Sequence, residues 1–354
     1  MFKEKYNIIG VMSGTSLDGI DLAHIVFTTK DNKWEFEILE TQTVSYSPDW
    51  LNKLKSAVSF SSEKLTELNE AYTQLLGEVI LNFILKNKLN SIDAVCSHGH
   101  TILHQPDKGI TLQIGNLPQI ASIVKQKVVC DFRVQDVALG GQGAPLVPIG
   151  DRILFSEYDY CMNLGGFSNL SFEVNQERIA FDICPVNTVL NHYSNILGLA
   201  YDDKGAIAKK GACHYTLLKE LNALDYYQKK YPKSLGFEFV KEIIIPLIDH
   251  YEISIEDKLH TFTKHIAIQI ANVLPHKTGT LFITGGGAYH NFLIESIQNE
   301  LPLATIIIPS PKIIEFKEAL IFGILGILRL ENEINVLKSV TGAKMNHSSG
   351  KIYE

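Results

Sequence analysis

Residues 10–21 read GVMSGTSLDGID: an apolar strand end, a run of small residues and hydroxyls, two acids, no lysine, and a second apolar strand, IDLAHIVFTT, directly behind. A lysine-bearing phosphate loop needs G-x-x-x-x-G-K-[ST], and a dinucleotide loop runs straight into a helix, so both are excluded. The stretch is the turn of a β-hairpin. By itself it reads in two ways. It is a tight turn with Asp and Gly at turn positions, or a nest in which backbone N–H groups and the hydroxyls of Ser13, Thr15 and Ser16 hold phosphate while Asp18 or Asp21 ties down a cation. The pattern then returns. Residues 158–174, YDYCMNLGGFSNLSFEV, are again an apolar strand, a small-residue turn with Gly165 and Gly166, and a strand running back.

One architectural unit used twice predicts two α/β lobes, each opening on a hairpin with a glycine-bearing turn. That is the layout of the actin-like ATPases, sugar kinases and heat-shock ATPases, where nucleotide phosphates lie between the two turns. The rest of the chain agrees with it. WEFEILETQTVSY (34–46) adds a third strand to the first hairpin, and apolar residues three and four apart (Leu65, Leu68, Tyr72, Leu75, Leu76, Val79) indicate helix between 49 and 89. IDAVCSHG, TLQIG and VVCDF read as further strands. After the glycine-rich ALGGQGAPLVP (138–148) the plan restarts, and it ends on the strand-turn-helix TLFITGGGAYHNFLIESI and the apolar helix IEFKEALIFGILGILRLEN. The expected fold is therefore a two-lobed actin-like (ribonuclease H-like) α/β fold, with mixed sheets flanked by helices and a central cleft. Residues 1–137 with about 332–354 form the first lobe, and 138–331 the second.

Composition narrows the partners. With 354 residues, 39 acids against 32 bases and a net charge of −7, no basic footprint for nucleic acid is present. The longest apolar run, ALIFGILGIL at 319–328, is about half a membrane span. A cytoplasmic protein with a small-molecule partner is expected, and a homodimer is compatible with the sequence. The five cysteines are odd in number and widely spaced, so they read as small buried hydrophobes and not as a disulfide set.

Four further stretches carry chemistry. SHGHTILH (97–104) places His98, His100 and His104 after an apolar strand; His-x-His holds zinc in some hydrolases, and the other readings are hydrogen bonding to substrate hydroxyls and a purely structural role. CDFRVQD (130–136) sets Asp131, Arg133 and Asp136 at a strand end, where an arginine beside acids is a natural grip for a substrate carboxylate. FDICPVN (181–187) puts Asp182 in an apolar strand ahead of Asn187, a candidate helix N-cap, and a carboxylate so placed suits a general base. TGGGAYHN (284–291) has Gly285, Gly286 and Gly287 between strand and helix, which lets the backbone approach a flat ligand such as adenine. Glu318 opens the apolar helix.

In order along the chain, GVMSGTSLDGID, SHGHT, LQIG, DFRVQDVALGGQGAPLVP, NLGGFSNLSF, FDICPVN, PKSLGFEF, ITGGGAYHN, EAL and SVTGA resemble the 1,6-anhydro-N-acetylmuramic acid kinases over nearly the whole length. The resemblance implies ATP and Mg²⁺ as cofactors and an amino-sugar substrate of peptidoglycan recycling. It implies a coupled reaction in which water opens the anhydro ring while O6 takes the γ-phosphoryl group, giving N-acetylmuramic acid 6-phosphate and ADP. By that likeness Gly14 to Asp21 (with Leu17, Gly19 and Ile20) face the ATP phosphates, Asp18 is the metal's carboxylate, Asp182 activates water, and Glu318 assists. His98, Thr101, Asp131, Arg133, Asp136 and Asn187 fall on the sugar, and the triple glycine on adenosine. The chain departs from the family pattern at two places, where Ile183, Cys184 and Val186 follow Asp182 in place of Thr, Gly and Gly, and where Leu235 and Phe237 replace Thr and Arg in PKSLGFE. Three alternatives stay open: an actin-like kinase for a different amino sugar, a non-enzymatic sensor on the same fold, and a metal-dependent hydrolase using His98 and His100.

Overall fold

The computed structural model describes residues 2–14, 17–31 and 33–354. They form two compact units, residues 1–155 with 316–354, and residues 156–315. The divisions fall at 155/156 and 315/316 rather than at the expected 137/138 and 331/332. The reason is local: residues 147–154 form a helix whose Gly150 packs against Ile321 of the apolar helix Pro311–Leu330, and that second helix gives residues 316–330 to the first unit.

In the first unit, β1 (Lys5–Ser13), β2 (Ile20–Lys30) and β3 (Lys33–Val44) make an antiparallel meander. β4 (Ala94–Gln105) joins β1 in parallel, β5 (Ile110–Ile114) folds back on β4, and β6 (Val128–Cys130) extends the parallel side. In the second unit β7 (Tyr160–Leu164), β8 (Phe167–Val174) and β9 (Glu177–Pro185) repeat the meander, with β10 (Thr278–Thr284) and β11 (Leu303–Ile307) parallel on the other side of β7. β12 (Lys351–Tyr353) returns to the first unit and pairs antiparallel with β6. The two sheet orders, β12-β6-β4-β1-β2-β3 and β11-β10-β7-β8-β9, thus share one plan: a meander whose first strand carries two parallel strands on its free edge.

Helical periodicity explains what covers the first sheet. The helix Ser62–Lys86 is capped by Ser61, whose hydroxyl accepts from the Lys64 N–H, and buries Leu68, Tyr72, Leu76, Ile80 and Phe83. That stripe packs on Ile9, Val11 and Leu22 of the meander. The opposite packing is closer. Gly10 lies in β1 because a Cβ there would overlap the Ala319 carbonyl of the helix Pro311–Leu330, and Gly326 of the same helix sits against Cys96. We expect Gly10→Ala to lower stability by about 1–3 kcal/mol, the usual cost of overpacking, read as a drop in the denaturant midpoint with an unchanged slope. An unchanged midpoint would mean that the helix has room to move.

The C-terminal segment packs on the first unit. The Gln142 N–H donates to the Thr341 carbonyl, and the Lys344 N–H to the Leu139 carbonyl. All five cysteines are free, four of them buried. No helix among the described residues is long and apolar enough to cross a membrane.

Candidate active site

The β1–β2 turn begins the site of the first unit. Thr15 and Ser16 lie outside the described residues. Around them the Leu17 N–H donates to the Gly14 carbonyl at 3.2 Å, and Leu17 takes φ 63° ahead of Gly19 at φ 152°. A leucine in the left-handed region carries strain of about 1–3 kcal/mol, of the kind that gathers at ligand clamps. Asp18 is exposed at the tip, while the Asp21 carboxylate accepts from Thr43 Oγ1 at 2.6 Å. Ser13 faces the other way. It is 1% exposed, and its hydroxyl is bonded to Tyr46, Tyr72 and His100, so its side chain does not face a phosphate.

Beyond the end of β6 the stretch DFRVQD divides into separate roles. Arg133 donates from Nε to His98 Nε2 at 2.8 Å and from Nη1 to the Gly143 carbonyl at 2.6 Å. No hydrogen bond from Nη2 to a described residue is present, so that edge of the fork is open. Burial pulls its pKa down to about 10, opposed by Glu318 and then Asp136, and it stays charged. Because an arginine only donates, His98 Nε2 must be an acceptor and Nδ1 the protonated nitrogen, which points at the Gly99 carbonyl. His98 therefore orients Arg133. Its pKa lies well below the usual value through burial and then the Arg133 charge.

The acids on either side are structural. Asp136 is 0% exposed, accepts from the Gly143 N–H at 2.6 Å and Thr341 Oγ1 at 2.8 Å, and ties the SVTGA segment down. Asp131 pairs with Lys351 of β12 at 2.8 Å. Neither faces a substrate as the sequence suggested. Thr101 receives a hydrogen bond from Gln113 Nε2 across the β4–β5 pair. The zinc reading fails on hydrogen bonding: both His98 nitrogens and His100 Nδ1 are engaged with protein groups.

Glu318 stands one turn before Phe322, whose ring packs on His98 with centroids 4.8 Å apart. Its side chain reaches solvent although protein crowds the carboxyl. Burial is the larger influence and raises its pKa; Arg133 lowers it and Asp21 raises it further.

In the second unit Asp182 ends up inside a clamp. Its Oδ2 accepts from the Leu235 N–H at 2.9 Å, its backbone N–H donates to the Lys233 carbonyl at 3.1 Å, and its carbonyl accepts from the Tyr226 hydroxyl at 2.6 Å. The two segments that depart from the family pattern, FDICPVN and PKSLGFE, are thus one structural piece. Burial raises the Asp182 pKa and the Leu235 N–H partly offsets it, the arrangement that gives a carboxylate basicity. Lys233 lies over the Tyr226 ring, 4.6 Å from its centroid, and burial lowers its pKa.

The second hairpin caps a helix. Val186 and Thr188 N–H groups donate to the Gly166 carbonyl and Asn187 N–H to that of Gly165, fixing the start of the helix Asn187–Ile196. Asn187 is its first residue and not its cap. Its amide donates to the Leu164 carbonyl at 3.2 Å, and it lines a cavity of about 1330 Å³ together with Gly286, Tyr289 and Glu315. Of the three glycines only Gly286 is open. Gly285, at φ 83°, and Gly287 are pressed on Asn163 and Leu164 of β7, where a Cβ would collide. Tyr289 donates to Glu315 at 3.0 Å on the cavity wall. Sequence reasoning missed Tyr46 and Tyr72, which are distant hydroxyls with no local signal, and also Tyr226; PKSLGFE was the signal for the Asp182 clamp.

A duplicated meander with parallel strands on the free edge of its first strand, with a lysine-free turn in one copy and a cavity beside Gly286 in the other, is the actin-like ATPase fold. A sequence model of anhydro-N-acetylmuramic acid kinases matches residues 6–354, and the chain belongs to that family. It is 32% identical to the anhydro-N-acetylmuramic acid kinase of Francisella tularensis subsp. novicida over 99% of both chains. It is 33% identical to that of Pseudomonas putida over 98% of both. Among solved structures, component A of the (R)-2-hydroxyglutaryl-CoA dehydratase of Acidaminococcus fermentans is similar over 92% of this chain and 99% of that one, with a TM-score of 0.44 and 14% identity.

Proposed function

We propose that this chain is the ATP-dependent kinase that opens 1,6-anhydro-N-acetylmuramic acid and phosphorylates O6. The observation that carries the reading is Asp182: a carboxylate with raised pKa, one oxygen held by the Leu235 N–H. In the proposed reaction Asp182 takes a proton from water as the water oxygen bonds to the anomeric carbon. The C1–O6 bond breaks, O6 bonds to the γ-phosphorus, and ADP leaves with the electron pair of the broken P–O bond. One deprotonation thereby drives both displacements. The product is N-acetylmuramic acid 6-phosphate.

The other groups divide the work. Arg133 takes the lactyl carboxylate on the open edge of its fork. Glu318, its pKa also raised, assists the water. The Gly286 cavity takes adenosine, and the β1–β2 turn takes the phosphates through backbone N–H groups.

Magnesium fits the residues present. Asp18 offers an exposed hard oxygen at the turn, which suits an ion that keeps its waters and binds through one carboxylate and substrate phosphates. Mg²⁺ would supply charge neutralisation at the phosphates.

The test is incubation with Mg-ATP and a panel of anhydro and free amino sugars, measuring ADP release and the mass of the sugar phosphate. Conversion of the anhydro-muramic sugar, with gain of one water and one phosphoryl group, is expected. Turnover of another sugar alone overturns the substrate and leaves the kinase.

A further inference from the structure

The Ser13 cluster contains more information than its burial. The Ser13 hydroxyl lies 2.6 Å from the Tyr46 hydroxyl and 2.7 Å from that of Tyr72, which are 2.6 Å from each other, and 2.9 Å from His100 Nδ1. These are four contacts, and each requires one proton between its two heavy atoms. Three hydroxyls supply three. Were Ser13 to donate to the imidazole, one hydroxyl pair would be left facing lone pair to lone pair at hydrogen-bond distance, in a cluster where Ser13, Tyr72 and His100 are at most 2% exposed. The fourth proton therefore sits on His100 Nδ1.

The other ring nitrogen follows from that count. Burial draws the His100 pKa down to about 4, so the ring is neutral at neutral pH and Nε2 carries a free lone pair. No described residue hydrogen-bonds Nε2, and it is not among the buried polar atoms that lack a partner, so it retains solvent contact. His98, two residues earlier on β4, is engaged with Arg133 at its own Nε2.

On the reading above, we propose that His100 Nε2 accepts a hydrogen bond from a hydroxyl of the sugar, and that Ser13, Tyr46 and Tyr72 are positioning residues that lock the ring in its accepting tautomer. The ligand group must be a neutral donor. A carboxylate would meet the lone pair with repulsion, which leaves that group to Arg133.

The experiment is ring ¹⁵N NMR of histidine-labelled protein, combined with kinetics. In the wild type, Nδ1 is expected to be protonated and Nε2 bare, with the Nε2 resonance moving when 1,6-anhydro-N-acetylmuramic acid is added. Tyr72→Phe leaves two hydroxyl protons for two contacts. Ser13 is then free to donate to Nδ1, so an Nε2–H ring should appear and the sugar KM should rise about three- to tenfold, the worth of one neutral hydrogen bond, with a smaller change in kcat. His100→Gln, which still offers an oxygen, should keep a KM nearer the wild type than His100→Phe. An Nε2–H ring in the wild type, or a sugar KM unmoved in His100→Phe, overturns the proposal. Should the wild type leave the anhydro-muramic sugar unphosphorylated, the functional reading falls, and the tautomer and the Nε2 response to the sugar that is phosphorylated decide this inference separately.

Discussion

Asp182→Asn is expected to lower turnover by about 10²- to 10⁴-fold while the protein still binds ATP, the range for removing a positioned general base. The amide is nearly isosteric and can still accept from the Leu235 N–H, so the clamp formed with Lys233 and Tyr226 should hold. What is lost is the ability to take a proton. The pH profile of the wild type supplies the matching sign. Burial raises Asp182 above its ordinary value of 3.8; the base acts only when ionised, so activity falls as pH drops through that raised value. The acid limb of kcat/KM should therefore lie above the pH at which an exposed aspartate titrates, and it should vanish in Asp182→Asn. Near-normal turnover of the variant would move the role to Glu318.

Arg133→Met is expected to raise the KM for the anhydro-muramic sugar by about 10- to 100-fold, because a charge-assisted hydrogen bond to a carboxylate is worth roughly 1.5–3 kcal/mol. Methionine keeps the apolar stem and removes the fork. A sugar that lacks the lactyl carboxylate should feel the change far less, and comparing the two substrates separates a lost ionic contact from a disturbed fold. The variant also deprives His98 Nε2 of its donor, which should return the His98 pKa towards its usual value, since the Arg133 charge is one of the forces depressing it. An unchanged KM for the muramic sugar would place the carboxylate elsewhere.

Much of this was legible along the chain because it is local. A strand, a small-residue turn and a returning strand announce a hairpin by composition alone, and a repeat of that signal announces two units. Both hairpins, the meander and the helix over it form as read. The position of Asp182 in an apolar strand before a proline turn was equally visible. The roles within DFRVQD were not. Asp131, Arg133 and Asp136 look alike on paper as charged residues past a strand, yet one pairs with Lys351, one opens its fork, and one is sealed beneath Gly143 and Thr341. For the two acids, Lys351 and Thr341, some two hundred residues away, made that choice, and no local pattern encodes them.

Sequence by itself determined the family, the duplicated α/β plan and the place of the acid proposed here as base, since these follow from periodicity, turn chemistry and ordered motifs. The tertiary structure decided which way each side chain faces. It turned the Ser13 hydroxyl of GVMSGTSLDGID inward to Tyr46, Tyr72 and His100, left Gly286 alone of its triplet open, and brought PKSLGFE onto Asp182. The physical reason is the same each time: a polar group buried by folding must find its hydrogen-bond partner, and long-range packing, not sequence neighbours, determines which partner is within reach.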